Sequence, residues 1–236
     1  MADATGGYFL DALAQAWGML LSLDPEVVEY TGRSLLIAAP ATLAASLLGI
    51  PAGLLLADRR FRGKRLVITV LNTLLGVPTV VVGLVVYLLL SRRGLCGPWE
   101  LLYTVPGIIL GGTLLILPVI ASFTLAAAGR IDREIRPTAR ALGADGRQVL
   151  WIVARESRYA ILAAVIAAFG RVVSEVGIAM IVGGNCDRFT RTMTTALVLH
   201  LDMGNFARAL ALGLLLLGIA LLVNLFLHLL QGRSGE

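Results

Sequence analysis

The sequence predicts an all-α integral membrane protein, on three observations. Composition comes first: 236 residues, 58% hydrophobic and only 15% charged, with a mean hydropathy of +0.86. Soluble domains carry about 25% charged residues, and a chain this short cannot hide so much apolar surface in one core. The second is a series of long runs free of Asp, Glu, Lys and Arg, at 34–57, 66–91, 101–129 and 209–232. Each is at least as long as the roughly 20 residues that cross a hydrocarbon core. The third is where the basic residues fall. Five lie in the loop 58–65 and seven in 130–158, so that with Arg233 the loops on one side hold 13 of the 20. Disorder is excluded by the apolar content, and the same numbers rule against an ordinary soluble enzyme. The formal charge of +5 sits in short loops, the pattern of membrane topology rather than of a nucleic-acid surface.

In chain order, residues 1–30 read as an outer interfacial segment. Phe9, Leu10, Leu13, Trp17, Leu20 and Leu21 form an apolar face interrupted by Asp11 and Gln15, suited to lying in the interface. The first basic residue is Arg33, so no cleavable leader is expected. Asp24-Pro25-Glu26 marks a helix start, Asp24 as N-cap and Pro25 in the first turn. Spans are expected at about 34–57, 66–91, 103–128, 159–184 and 209–231. The stretch 192–201 is too short to cross and stops at Asp202. Five spans with the basic loops inside put the N-terminus outside and the C-terminus in the cytoplasm. Nothing separates a second domain, so 1–236 reads as one. Pro40, Pro51, Pro78 and Pro118 lie within the first three runs and should kink them. Gly49 with Gly53, and Gly107 with Gly111, have the spacing that lets helices approach closely.

Two regions exceed what a passive anchor needs. Arg171 and Glu175 lie near the middle of the expected span 159–184, four residues apart and on one face of a continuous helix. A lone charge at that depth costs roughly 2.5–3.5 kcal/mol, so an inward ion pair is expected. It either lines or gates a polar path or braces the bundle. Gly183-Gly184-Asn185 reads as a flexible break beyond it. The second region is the loop 130–158. Ile135, Ala139 and Leu142 share helical spacing, and Gly143 stands where a helix would stop. Asp145 with Gln148 then has the capping-box pattern. Helix, glycine break and helix suit either docking to a protein or lying on the lipid surface.

Cys96 and Cys186 have no metal-ligand spacing and both fall on the outer side, which leaves a disulfide open. His200, beside Asp202, reads as a solvated outer-loop residue, and His228 sits near the inner interface. With no convergent acid, base or nucleophile at membrane depth, no catalytic residue and no metal site is expected.

At the inner loop the sequence resembles the permease subunits of ABC importers, whose loop carries Glu-Ala-Ala, three residues and a glycine. Pro137-Thr138-Ala139 stand at Glu-Ala-Ala, Gly143 takes the glycine place and Val153-Ala154-Arg155-Glu156 close the motif. Pro137 replaces the glutamate, and Arg155-Glu156 replace the usual Leu-Pro. Further on, 170–177 (GRVVSEVG), 182–185 (VGGN) and 190–196 (TRTMTTA) resemble the tungstate permease branch, close to the molybdate permeases. The likeness covers essentially the whole chain, and that branch has five spans.

The resemblance implies the membrane subunit of an ATP-driven oxyanion importer in the cell inner membrane, most simply for tungstate, with molybdate, sulfate or another anion as alternatives. It implies a homodimeric pathway, two separate ABC ATPases holding ATP and magnesium, and an extracytoplasmic oxyanion-binding protein. This chain would bind no cofactor and catalyse nothing, and it lacks a phosphate-binding G-x-x-x-x-G-K-[ST] loop of its own. The ATPases would dock on Arg136, Thr138, Ala139, Arg140, Leu142, Gly143, Ala144 and Asp145. Arg171, Glu175, Gly183, Gly184 and Asn185 would belong to the pathway or its gate. Because Glu175 would cancel the charge of Arg171, the pair is expected to order a helix or gate rather than to select the anion. An intramembrane enzyme and a non-transporting assembly protein remain as distant alternatives.

Overall fold

The computed structural model describes residues 2–59, 61–131 and 135–232, with side chains described between residues 9 and 229. Among the described residues eleven α-helices follow one another: α1 (Ala2–Leu21), α2 (Pro25–Asp58), α3 (Lys64–Leu75), α4 (Thr79–Leu90), α5 (Val105–Gly129), α6 (Ile135–Ala141), α7 (Gly146–Glu156), α8 (Arg158–Val173), α9 (Gly177–Ile181), α10 (Met193–Asp202) and α11 (Phe206–Gly232). No strand occurs among the described residues. Arg60, Arg133 and Arg233, which contribute to the inward charge bias, lie outside them.

Among the described residues, α2, α5 and α11 are each long and apolar enough to cross a membrane, and α3 with α4 adds a fourth, bent by 103°. The expected uninterrupted run at 66–91 is therefore broken. Gly76 ends α3, and Pro78 is the N-cap of α4. Proline has no N–H to continue the ladder and disfavours helical geometry in the residue before it. Pro40, Pro51 and Pro118 instead stay inside continuous helices. The run at 159–184 is broken as well. Helix α8 stops at Val173, Ser174 caps it, and α9 is a separate five-residue turn.

The most extensive packing is between α2 and α5. A Cβ on Gly53 would stand 2.6 Å from the carbonyl oxygen of Ala121 and 2.7 Å from Cβ of Thr124, so only glycine permits this approach. Gly107 works differently from the expectation. A Cβ there would strike the carbonyl of Leu101 in its own leading turn rather than a neighbouring helix. Ala38, Ala41 and Ala45 on α2, Ile116 and Ile120 on α5, Ala168 and Val172 on α8, and Ile178 on α9 make one apolar core. Helix α1 covers α11 through the buried Ala12 and Ala16 and leaves Trp17 exposed. Asp24 caps α2 as expected, its carboxylate accepting from the N–H groups of Glu26 and Val27. Helix α3 buries none of its residues, and α11 leaves Leu217, Leu221, Leu222, Leu225 and Phe226 exposed.

Candidate functional site

The break between α8 and α9 separates the two charges that the sequence places on one helix face. Arg171 is in the last turn of α8, while Glu175 lies beyond its end. They form no ion pair. One Glu175 carboxylate oxygen, Oε1, accepts from the N–H of Ile178 at 3.2 Å, so it caps the start of α9. The side chain of the half-buried Arg171 has no hydrogen bond or ion pair among the described residues, and its Nε is cut off from solvent without an acceptor; only its carbonyl is engaged, accepting from the Ser174 hydroxyl at 3.1 Å. The expected pair fails because α8 ends at Val173, so the turn at Ser174 carries Glu175 away from the face of α8. Where α9 begins, it meets the start of α4: a Cβ on Gly177 would lie 3.0 Å from Oγ1 of Thr79 and 3.2 Å from N of Val80. The two interrupted runs thus pack against each other at their interruptions.

Residues 183–195 hold this break in place. The Thr194 hydroxyl donates to the carbonyl of Glu175 at 2.7 Å. Thr192 and Thr195 form a reciprocal capping box at the start of α10. Ser34 on α2 accepts from the N–H of Met193 at 2.8 Å, and Arg33 donates to the carbonyl of Arg191 at 3.1 Å. Arg191 in turn donates to Oδ1 of Asn185 at 3.2 Å and pairs with Asp187 at 2.7 Å. Gly183 is buried, its carbonyl accepting from Thr190 at 2.6 Å, and Gly184 packs under the ring of Tyr103. The glycine pair expected to be a flexible break is therefore a tied turn. Each such hydrogen bond contributes about 1 kcal/mol net, and together they fix where α8 may end. Arg191 also donates to the hydroxyl of Tyr30 at 3.4 Å. Tyr30, Arg33 and Ser34 escaped the sequence reading, because a contact across about 160 positions leaves no local pattern.

His200, expected in solvent, is buried at 7% exposure, and neither ring nitrogen has a partner. Burial lowers its pKa below the ordinary value of 6.5, helped by the neighbouring Arg208 and, more weakly, Arg191, and opposed by Glu26 and Asp24. Arg208 ties the start of α11 to that of α2 through Glu26 at 2.9 Å and Asp24 at 3.8 Å. Cys96 is half-buried, Cys186 is exposed, and both are free thiols. No group of three or more His, Cys, Asp or Glu among the described residues is placed to hold a metal.

The inner loop matches its local pattern closely. Helix α6 ends at a φ of +89° on Gly143. The N–H of Ala144 bonds back to Ala139 and that of Gly143 to Arg140, each at 3.0 Å, which is the Schellman stop. Asp145 and Gln148 then form the capping box of α7 at 2.7 and 2.8 Å. Val149 and Val153 are buried, and Val153 joins Leu54, Ala128 and Ile161 in a second apolar cluster. Arg136 donates to the carbonyls of Ala57 at 3.1 Å and Ala128 at 2.9 Å, the last turns of α2 and α5. It thereby supplies donors and positive charge where helices end in unpaired carbonyls. Arg140 reaches Asp58 at 3.0 Å. Arg136 is therefore an internal strut, whereas Thr138, Leu142 and Asp145 face outward. Leu142 is 84% exposed and Trp151 on α7 71% exposed. Trp151 was missed in the sequence for want of a partner pattern.

This helix–turn–helix turns Leu142 and Trp151 away from the bundle of apolar helices. Residues 49–235 match the family described as the inner membrane component of binding-protein-dependent transport systems. The chain belongs to this family. It is accordingly a multi-pass permease of the inner membrane, and its apolar helices agree. It is 41% identical over 219 residues to a probable anion ABC transporter permease protein of Haloferax volcanii, covering 89% of this chain and 94% of that one. A tungstate uptake system permease protein of Peptoclostridium acidaminophilum is 38% identical, over 95% of this chain and 98% of its own. The corresponding protein of Campylobacter jejuni is 35% identical, over 95% and 94%. Permeases of this family are transport subunits rather than enzymes.

Proposed function

We propose that this permease is the membrane subunit of an ATP-driven oxyanion importer whose cargo is tungstate. The observation that carries the cargo is the 38% identity, spread over 95% of the chain, to a tungstate uptake permease. In this reading α3–α4 and α8–α9 each complete one span, which gives five spans with the N-terminus outside and the C-terminus in the cytoplasm. Two copies enclose the pathway. The unburied α3 and the exposed apolar face of α11 support such a pairing. Separate ATPase subunits, which hold ATP and magnesium, dock on the outward side of 130–158, where Leu142 and Trp151 offer apolar anchors beside Thr138, Gly143, Ala144 and Asp145. Arg136 and the Val149–Val153 face transmit the push to α2 and α5, because a strut bonded to the ends of both helices cannot move without them. An extracytoplasmic protein delivers the anion, and the tied turn at 183–195 forms part of the outer closure.

The test is elemental mass spectrometry of cells with and without the gene, fed trace tungstate, molybdate or sulfate. Loss of tungsten uptake alone supports the cargo. Loss of molybdenum or sulfur uptake instead moves the assignment to that anion. If all three hold steady, the importer reading fails.

A further inference from the structure

We propose that Arg171 is the pathway's oxyanion contact, a guanidinium left unpaired in the protein so that the transported dianion becomes its counterion. The inference rests on the importer reading above and goes beyond it, since that reading needs no particular residue to touch the cargo.

Depth supplies the first argument. Arg171 lies 13 residues along α8 from Arg158, about 20 Å at the rise of an α-helix. That is well into a hydrocarbon core of about 30 Å, beyond the reach of headgroups at the inner surface. Such a charge needs a partner, yet the Arg171 side chain makes no hydrogen bond or ion pair among the described residues, and its Nε is cut off from solvent.

The choice of partner is narrow. The runs 34–57, 66–91, 101–129 and 209–232 contain no acidic residue. Glu175 is the one acid at comparable depth, and its Oε1 caps α9 through Ile178. A second copy of the chain brings a second Arg171, so the pair would carry a charge matched by one dianion. The planar guanidinium offers parallel N–H donors that fit two oxygens of a tetrahedral anion. Next to Arg171 in the chain, Gly170 and Val173 on α8 and Ser174 at its end face Ala220 and Asn224 on α11 across a groove of about 230 Å³, which Arg171 borders in sequence but does not itself line. Asn224 is exposed, the one polar side chain in the stretch 209–227 of α11, its amide donating to the Ala220 carbonyl of its own helix. A single guanidinium per chain also keeps the site weak enough to release the ion, as conduction requires.

The experiment uses the complete transporter, with its ATPase and binding protein, in proteoliposomes, and reads tungstate ions moved per ATP hydrolysed. Arg171→Gln is expected to lower that ratio about tenfold or more, the loss of a charge-assisted hydrogen bond, with hydrolysis continuing. Arg171→Lys should fall between this and the wild type, and Glu175→Gln, which keeps an acceptor for the N–H of Ile178, should lose distinctly less than Arg171→Gln. An unchanged ratio in Arg171→Gln overturns the proposal. So does an equal loss in Glu175→Gln that is reversed by exchanging the two charges in Arg171→Glu/Glu175→Arg, since the residues would then pair across the dimer. Should Arg171→Gln fail to assemble, Arg171→Lys decides: a lowered ratio supports the contact and a wild-type ratio refutes it. A wild-type complex that moves none of tungstate, molybdate or sulfate defeats the importer reading instead.

Discussion

The inner loop and the α8–α10 region teach opposite lessons about polar groups in a membrane protein. In the loop, Arg136 bonds to two helix-end carbonyls, Arg140 pairs with Asp58, and Asp145 caps α7 with Gln148. In the α8–α10 region the backbone is tied with equal care by Ser34, Thr190, Thr192 and Thr194, yet Arg171 and His200 are left with unpartnered nitrogens. The first arrangement suits a part that transmits force as a unit. The second holds its frame still and leaves charge or proton sites open, which is what a part that meets an ion requires.

The comparison can be broken most sharply at Arg136. Arg136→Met strands the carbonyl of Ala128 and leaves that of Ala57 only the 3.4 Å bond from Lys64, and should lower stability by about 3 kcal/mol, the size expected for losing charged donors. Thermal unfolding in nanodiscs would measure it, and an unchanged melting temperature would deny the strut. Gly143→Val comes next. A Cβ there meets no atom within 4 Å, so the cost is backbone alone, about 1–2 kcal/mol for forcing a left-handed residue. Uptake should fall while the two copies stay associated, as cross-linking and metal uptake would report together.

A smaller effect sharpens the other side. Glu175→Gln keeps an acceptor for the N–H of Ile178 and should cost less than about 1 kcal/mol. Breaking a buried ion pair would cost about 3–5 kcal/mol, so a melting curve separates the two structures of this site. The shallowest expected effect is a pH slope. His200 is held neutral with a pKa below 6.5. As pH falls below 6.5 the unfolded chain binds the proton first, so stability declines through the window from there down to the folded value and is flat above it. Melting temperatures of wild type and His200→Gln at pH 7.5 and 5.5 should diverge only at the lower pH, the wild type being the one that loses ground.

Much of the loop was legible because its determinants are local. Ile135, Ala139, Gly143, Asp145 and Gln148 act within a few positions of one another, and their spacing states the structure directly. The pair Arg171–Glu175 misled for the converse reason. Its i, i+4 spacing is an ion pair only on an unbroken helix, and nothing near Ser174 announces the break. The tie that fixes the break arrives from Thr194, and the frame for Thr194 comes from Ser34 on α2. The 66–91 run lies between these cases. Gly76 and Pro78 were visible, but an apolar run allows either a kinked span or a turn of 103°, and the packing of α4 on α9 selects the turn.

By itself, then, the sequence determined the solvent this protein lives in, the apolar runs, the helix caps and the inner helix–turn–helix. Transfer free energy, capping and glycine stereochemistry are properties of a residue and its near neighbours. Tertiary structure alone decided that two of the runs break, that Arg136 is an internal strut, that His200 is buried and that Arg171 is unpaired. Each of these depends on which distant backbone group takes a hydrogen bond first, and that competition is resolved only when α2, α5, α8 and α10 have packed.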